Sequence, residues 1–109
     1  MTVIVESKKM KLTQAIRIFA ENQAEKLKKL EKGVSQVRIY LESVAHKKSD
    51  TYSNIVTYCV SIPGKNLVVK KHAVDMYTAI VDATEGAVRK LRKANEKRMT
   101  MKRKAYSPT

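Results

Sequence analysis

The sequence predicts a two-layer α+β domain in which two helices cover one face of a four-stranded sheet. Three observations support this fold class. Two segments alternate apolar and polar residues with the period of a strand, two shorter segments are rich in β-branched residues, and two segments carry an apolar stripe with the period of a helix. The six segments follow the order β-α-β-β-β-α, and their one-sided patterns require a shared core. A chain of 109 residues has room for one such domain.

The first predicted strand covers residues 2–6, where Val3 and Val5 share one face. Thr13 is a favourable N-cap for the helix that follows, because its hydroxyl can accept a hydrogen bond from an unpaired amide of the first turn. Gly33 stands where this helix should end. The apolar stripe between them has one polar interruption and consists of Ile16, Phe19, Ala20, Gln23, Leu27 and Leu30.

Three further strands are predicted over residues 34–46, residues 52–62 and residues 67–71. The polar residues 46–50 and the Pro-Gly-Lys-Asn segment at 63–66 are the predicted turns between them. Both connections are short enough for antiparallel hairpins. The helical crossover between the first two strands should instead make those strands parallel, with a right-handed connection.

Asp75 is the predicted N-cap of a second helix, which is expected to reach about residue 98. Tyr77 in its first turn is expected to pack in the core rather than to stack on a base. Residues 99–109 lose the helical period and are predicted to form a flexible basic tail, so the predicted domain covers residues 1–98. The apolar stripe of this helix consists of Met76, Ile80, Ala83, Ala87 and Leu91.

Net charge is the property that most restricts the function. Twenty-three Lys and Arg against ten Asp and Glu give a net charge of +13. A small domain this basic is expected to have an anionic partner, of which nucleic acid is the usual one. A membrane partner is not expected, because neither predicted helix pairs its basic face with bulky exposed apolar groups. The N-terminal sequence lacks the order of a signal peptide, so a cytoplasmic location is expected.

Basic residues concentrate in the last quarter of the chain, which carries nine of them from Arg89 onwards against a single acid. Arg89, Lys93 and Lys97 form a row with four-residue spacing, and Arg92 lies beside it, so the row can follow a phosphate backbone. The helix macrodipole accounts for about two or three cations near a C-terminus, but not for nine. Two smaller basic groups lie around the start of the first helix (Lys8, Lys9, Lys11, Arg17) and at the end of the fourth strand (Lys70, Lys71, His72).

No catalytic arrangement is recognisable in the sequence. It contains no Gly-rich phosphate loop and no pair of carboxylates at a strand end. Cys59 is the only cysteine, which excludes an internal disulfide and a cysteine metal quartet, and it is expected to be a buried thiol. His72 is expected to be a surface histidine, because no second metal-binding residue lies at ligand spacing. The sequence therefore predicts no enzyme, no metal, no cofactor and no small-molecule substrate.

Two stretches of the sequence carry longer motifs. SKKMKLTQAIRIFAENQAEKLKKLEK contains the pattern K-x-M-x-[IL]-T-x-A-[IL]-R followed by K-L pairs. About sixty residues later, VDMYTAI contains D-M-Y-x-A-I. Together these stretches resemble the two helices of the ribosome hibernation promoting factors, a family that includes ribosome-associated inhibitor A. The similarity covers about residues 2–98, and the second signature consists of Asp75, Met76, Tyr77, Ala79 and Ile80.

The resemblance implies a fold akin to the double-stranded RNA-binding domain, with parallel helices. It also implies binding to the rRNA of the small ribosomal subunit in the decoding channel. There the protein would block mRNA and tRNA and stabilise inactive ribosomes under stress and in stationary phase. By this resemblance the chain is expected to be of the short, monomeric type, without the dimerising second domain of the long members. The family's basic groups correspond to Lys9, Arg17, Lys26, Arg89 and Lys93.

Together with the basic groups described above, the resemblance completes one set of candidate RNA-binding residues: Lys8, Lys9, Lys11, Arg17, Lys26, Lys71, Arg89, Lys90, Arg92, Lys93 and Lys97.

Gly86 and Ala87 depart from the family, which usually has K-L-x-x-Q-L where this chain has Gly-Ala-Val-Arg-Lys-Leu. Gly86 is expected to remove one phosphate-contacting lysine and to cost about 1 kcal/mol of helix propensity relative to alanine. Lys90 and Arg92 would compensate for the missing cation.

Two other functions stay open at the level of sequence. A general binder of double-stranded or structured RNA, or an RNA chaperone, needs the same fold and charge but no specificity for the ribosome. An adaptor at a membrane or protein surface is less consistent with the helices, which lack bulky exposed apolar groups. The first of these functions predicts that bulk duplex RNA competes as well as ribosomes do.

Overall fold

The computed structural model describes residues 2–8, 10–30, 34–43 and 54–105, except for the side chains of Leu30, Asn95 and residues 97–105. Six elements follow each other in the predicted order β-α-β-β-β-α. They are β1 (Thr2–Lys8), α1 (Gln14–Leu30), β2 (Gln36–Ser43), β3 (Asn54–Ile62), β4 (Lys65–Ala73) and α2 (Met76–Ala105).

The four strands form one sheet in the order β1-β2-β3-β4. Strand β1 pairs with β2 in parallel, whereas β2–β3 and β3–β4 are antiparallel, as the lengths of the connections predict. Helix α1 contacts β1, helix α2 contacts β3 and β4, and the two helices contact each other. The prediction of a sheet with both helices on one face is therefore confirmed.

Alternation along the strands separates a core face from an outer face. In β2, Val37 and Ile39 are fully buried under the helices, whereas Arg38 and Tyr40 are exposed on the outer face. Cys59 in β3 has the parity of the outer face and is only half-buried, so the expectation of a buried thiol is wrong. The core is mainly aliphatic, with Tyr58 as its largest fully buried side chain.

Helix α1 begins as the sequence predicts. The backbone amide of Ile16 donates to Oγ1 of Thr13 at 3.2 Å, which satisfies one of the unpaired amides of the first turn. Ala20, Ala24 and Leu27 are completely buried, and the other described members of the stripe are half-buried. The predicted helix stop at Gly33 and the predicted turn at 46–50 lie outside the described residues.

A two-residue turn, Pro63–Gly64, joins β3 to β4, and Ile62 pairs directly with Lys65. Gly64 has φ of +86°, a conformation that L side chains rarely adopt, and proline suits the preceding position of such a turn. The turn is tighter than the four-residue segment predicted from the sequence, because its last two residues already pair within β4.

The carboxylate of Asp75 caps the start of α2. Its Oδ2 accepts from Oγ1 of Thr78 at 2.8 Å and from the backbone amide of Thr78 at 3.0 Å. These hydrogen bonds, the side-chain bond first, lower the pKa of Asp75 from its ordinary value because they favour the ionised form. The predicted N-cap is confirmed.

Helix α2 extends farther than the sequence predicts. It continues to Ala105 instead of ending near residue 98, so the expectation that residues 99–105 lack helical structure is wrong. Lys, Arg, Met and Ala, which dominate this segment, have high helix propensity even where an apolar stripe is missing. Residues 106–109 lie outside the described part of the chain, and the boundary of the predicted tail stays a prediction.

Gly86 lies where α2 packs closely on β4. The residue is buried, and a Cβ atom added to it would lie 2.8 Å from Cγ1 of Val69 and 3.3 Å from Cε of Lys71. The position therefore faces the sheet rather than solvent. A larger residue at this position would have to displace the side chain of Val69, and the expectation that Gly86 removes a phosphate-contacting lysine stays a prediction.

One polar network crosses the core between α2 and β3. The Oγ1–H of Thr84 donates to the carbonyl of Ile80 at 2.7 Å, and Oγ1 lies 2.6 Å from the hydroxyl oxygen of Tyr58. Thr84 has a single hydroxyl proton, so Tyr58 is the donor of the second bond. Burial raises the pKa of Tyr58 to about 12, because a phenolate would lose its hydration.

The first prediction concerns Thr84→Val, which leaves the buried hydroxyl of Tyr58 without an acceptor. We expect it to lower the free energy of unfolding by about 1–3 kcal/mol, whereas Thr84→Ser keeps both hydrogen bonds and costs less. The double variant Tyr58→Phe/Thr84→Val removes both partners and should be more stable than Thr84→Val alone. Urea denaturation of the wild type, Thr84→Val, Thr84→Ser, Tyr58→Phe and the double variant measures this, and additive losses in the double variant would contradict the network.

The second prediction concerns alkaline pH. The pKa of Tyr58 rises from about 10 in the unfolded chain to about 12 in the folded one, so the neutral phenol stabilises the fold fully below pH 10. Between pH 10 and pH 12 only the unfolded chain releases the proton, and the free energy of unfolding should fall by up to about 2–3 kcal/mol. Tyr58→Phe lacks this contribution. A wild-type minus Tyr58→Phe difference that stays constant from pH 9 to 11.5 would contradict it.

Candidate nucleic-acid interface

A basic cleft of about 420 Å³ lies between β4 and α2. Lys71 contributes to it from the strand, and Gly86 forms part of its floor on the helix. The helix adds four cations and one carboxylate, which are Arg89, Lys90, Arg92, Lys93 and Glu96. The structure thus brings five of the predicted RNA-binding residues together, one from the last strand and four from the helix that follows it.

A second groove, of about 410 Å³, runs between the two helices. Lys26 lines it from α1, while Glu85, Val88, Arg89 and Arg92 line it from α2. Arg89 and Arg92 line both depressions, so the cleft and the groove adjoin each other at these two side chains. We call the six cations around them the α2 basic surface: Lys26, Lys71, Arg89, Lys90, Arg92 and Lys93.

Lys90 connects the α2 basic surface to the edge of the sheet. Its Nζ donates to the carbonyl oxygen of Val68 at 2.6 Å. Strand β4 is an edge strand, so this carbonyl has no partner strand on that side. The bond holds the ammonium group of Lys90 at one rim of the cleft and ties α2 to β4.

Two further described candidates, Lys11 and Arg17, lie near the end of the domain at which both helices begin. The rings of Phe19 in α1 and Tyr77 in α2 pack edge to face, with centroids 5.0 Å apart and planes at 76°, so both helices begin at the same end of the sheet. Lys11 and Arg17 belong to this end, whereas Arg92 follows sixteen residues after Met76 (92 minus 76), roughly 24 Å along α2.

Lys8 belongs to neither depression of the α2 basic surface. It ends β1, pairs across the strands with Glu42, and lines a separate depression of about 460 Å³ together with Glu6 and Tyr40. Lys9 lies outside the described residues, as does the side chain of Lys97, so the structure does not describe their positions relative to the surface.

The family signature at the start of α2 serves the fold rather than the basic surface. Asp75 caps the helix, and Met76, Ala79 and Ile80 are buried in the core. Tyr77 is 41% exposed and packs on Phe19 at the surface, which corrects the expectation that it lies in the core.

Sequence reasoning missed two features of the molecular surface, which are the cleft lined by Gly86 and the hydrogen bond between Arg38 and Tyr40. At Gly86 the sequence indicated only a loss of helix propensity and of a family lysine. Tyr40 is 36% exposed on the outer face of the sheet, where its hydroxyl oxygen accepts from Nη1 of Arg38 at 3.3 Å. This hydrogen bond raises the pKa of Arg38 above its ordinary value. Strict alternation in β2 was the signal that places these two side chains on one face.

Metal and membrane sites are not evident in the described chain. Among residues 2–8, 10–30, 34–43 and 54–105, no three His, Cys, Asp or Glu side chains are grouped closely enough to hold a metal ion. Neither α1 nor α2, as far as each is described, combines the length and the apolar character that crossing a bilayer requires.

Two solved structures share the fold of this chain. A ribosomal subunit interface protein from Coxiella burnetii is 18% identical with a TM-score of 0.75, and the match covers 88% of this chain and 99% of that one. The N-terminal domain of Protein Y from Thermus thermophilus is 21% identical with a TM-score of 0.72, covering 85% of this chain and 98% of that one. A comparison with curated protein sequences finds no match.

The sequence itself matches the model of a protein family over residues 3–99. The match begins in β1 and extends through the other strands and α1 into α2, as far as residue 99. That family is described as sigma 54 modulation protein / S30EA ribosomal protein. The match covers far more than half of the chain and agrees with the resemblance to hibernation promoting factors. The chain therefore belongs to the sigma 54 modulation protein / S30EA ribosomal protein family.

Proposed function

We propose that the protein binds rRNA of the small ribosomal subunit through the α2 basic surface and holds ribosomes inactive by occupying the decoding channel. The observation that carries this proposal is the continuity of six cations, contributed by β4 and both helices, around two adjoining depressions. Family membership supplies the ribosomal part of the proposal, because the matched family includes a ribosomal protein in its description.

The arrangement of the cations favours a polyanion over a single anionic group. Arg89, Lys93 and Arg92 project from α2 on the side away from its buried stripe, so they are free to meet separate phosphates. Like charges three and four residues apart repel one another in the isolated protein. Bound RNA relieves that repulsion, and the release of its counterions drives association.

Inhibition in this proposal follows from occupancy and needs no chemical step. A domain that lies in the channel excludes mRNA and tRNA, because two polyanions and a folded domain cannot share one volume. The exclusion is mutual, since coupling between binding equilibria is reciprocal. A protein acting this way works as a cytoplasmic monomer, with one copy on each idle ribosome during stress or stationary phase.

A general binder of structured RNA is the alternative. Its support is the second set of described cations, Lys8, Lys11 and Arg17, which are exposed and lie outside the α2 basic surface. Exposed charge beyond one surface suits contact with any extended duplex. The two functions differ in whether the ribosome is preferred over duplex RNA of equal phosphate content.

The third prediction tests the electrostatic origin of binding. With about six phosphate contacts, affinity for ribosomes should fall by roughly a thousandfold or more between about 50 and 200 mM monovalent salt. Co-sedimentation or fluorescence titration across this range gives the slope of log affinity against log salt concentration. A slope near zero would contradict binding through the α2 basic surface.

The fourth prediction separates the position of the charge from its amount. We expect Arg89→Glu/Arg92→Glu/Lys93→Glu to weaken ribosome binding on the order of a hundredfold or more, because three phosphate contacts become repulsive. The matched control is Lys28→Glu/Lys65→Glu/Lys70→Glu, whose three exposed lysines lie outside the α2 basic surface.

Each change from Lys or Arg to Glu lowers the net charge by two. Both triple variants therefore go from +13 to +7 and have the same overall charge. Circular dichroism establishes that both are folded. Equal losses in the two variants would mean that net charge alone determines binding, and unchanged binding by the first variant would remove the surface from the mechanism.

The fifth prediction distinguishes the hibernation function from general RNA binding. Added protein should inhibit translation in a cell extract saturably, near one copy per ribosome, and excess initiation complex should relieve the inhibition. Duplex RNA at equal phosphate concentration should relieve it far less. Rescue by bulk duplex as effective as rescue by ribosomes would contradict the proposed function and favour the alternative.

A further inference from the structure

The side chain of Lys71 leaves β4 on the face of the sheet that the helices cover, whereas those of Lys70 and His72 leave it on the outer face. Strand β4 alternates, so that Val69 and Ala73 are buried beneath the helices while Lys70 and His72 are exposed. Lys71 shares the parity of the buried residues and is half-buried. Its side chain lines the cleft between β4 and α2.

Gly86 provides the space through which the Lys71 side chain passes. The Cε atom of Lys71 lies 3.3 Å from the point where a Cβ of residue 86 would be, and Cγ1 of Val69 lies 2.8 Å from the same point. The stem of Lys71 thus lies against the helix at the one residue of that turn that has no side chain. Any larger residue there requires Val69 or the stem to move.

The ammonium end of Lys71 then meets the cations of α2. Arg89, Lys90 and Lys93 follow Gly86 by three, four and seven residues, so they lie above it on the same side of the helix. Together with Lys71 and Gly86 they line the cleft of about 420 Å³. Lys90 is held at the rim by its bond to the carbonyl of Val68.

We propose that this cleft is a phosphate-binding site for the RNA backbone, and that Gly86 is the positioning residue that lets Lys71 reach it. The proposal rests on the proposed function for the identity of its ligand, a phosphodiester group of RNA. It assigns Lys71 a direct contact with that group, whereas Gly86 acts only through Lys71.

Charge and geometry both favour a phosphate in this position. Five cations from two layers of the fold surround the cleft, and Glu96 is its only acidic lining residue. A phosphate oxygen accepts several charge-assisted hydrogen bonds at once, which suits donors that converge from different directions. Cations from a single helix would converge less well on one phosphate group, because their side chains point away from a common helix axis.

The test compares Lys71→Met, which keeps an unbranched stem but loses the charge, with Lys70→Met as its matched control. Lys70 is the neighbouring lysine, is exposed on the outer face, and changes the net charge by the same amount. Two probes are titrated in parallel across a range of salt concentrations: purified ribosomes and an RNA duplex of about 16 base pairs.

We expect Lys71→Met to weaken binding about three- to tenfold and to reduce the magnitude of the salt slope by about 0.7–0.9, the share of one phosphate contact. Lys70→Met should leave the slope unchanged, and Lys71→Arg should restore it. Equal slopes for Lys71→Met and Lys70→Met would overturn the assignment of Lys71.

Gly86→Ala tests the positioning role, because it keeps every charge. It should reduce the salt slope as much as Lys71→Met does, and the double variant Gly86→Ala/Lys71→Met should lose no more than either single one. If Gly86→Ala does not fold, Gly86→Ala/Val69→Ala removes the 2.8 Å contact while keeping a Cβ against Lys71. A full salt slope in the folded variant would overturn the role of Gly86.

The two probes separate this inference from the proposed function. Wild-type protein that binds the duplex but shows no preference for ribosomes contradicts the hibernation function, and the duplex titration still tests the cleft. Wild-type protein that binds ribosomes with a steep salt slope, without any effect of Lys71→Met, contradicts only the cleft. Failure to bind either probe contradicts both.

Discussion

The close approach of helix α2 to strands β3 and β4 is the constraint on which the rest of the structure depends. Small residues make it possible, since Ala79, Ala83 and Ala87 are fully buried in the interface and Gly86 lies against Val69. Dispersion contacts fall off steeply with separation, so a helix held farther away would lose much of this packing. A more distant helix would also remove the packing of the Lys71 side chain against Gly86. The ammonium group of Lys90 would then no longer reach the carbonyl of Val68.

The hydrogen bonds of Thr84 fix how α2 is rotated on the sheet. Packing of alanine side chains is only weakly directional, whereas the pair of Tyr58 and Thr84 has one geometry. Thr84 also bonds to the carbonyl of Ile80 one turn earlier, so its orientation is set within the helix. With this face held inward, the residues five to nine positions later present Arg89, Arg92 and Lys93 to solvent.

Charge and stability are distributed to different parts of the same helix. The first turns of α2 contain the capping carboxylate of Asp75 and the buried signature residues, which contribute to the fold. The cations follow in the second half of the described side chains, where they are exposed and do not disturb the core. This separation explains how a domain with a net charge of +13 retains a continuous apolar core, because repulsion among exposed groups is weakened by water and salt.

The sequence by itself determined the element order, the sheet layout, both helix caps and the side of each strand that faces the core. These features follow from periodicity and from hydrogen bonds between residues three or four apart, both of which are local. Only the tertiary structure decided which cations meet, since Lys26, Lys71 and Arg89 belong to three different elements. The tertiary structure also changed the interpretation of Gly86. In the sequence this residue only lowers helix propensity, whereas in the structure it allows α2 to pack against Val69 of β4. The effect of a glycine therefore depends on which residues pack against it, and the sequence does not show them.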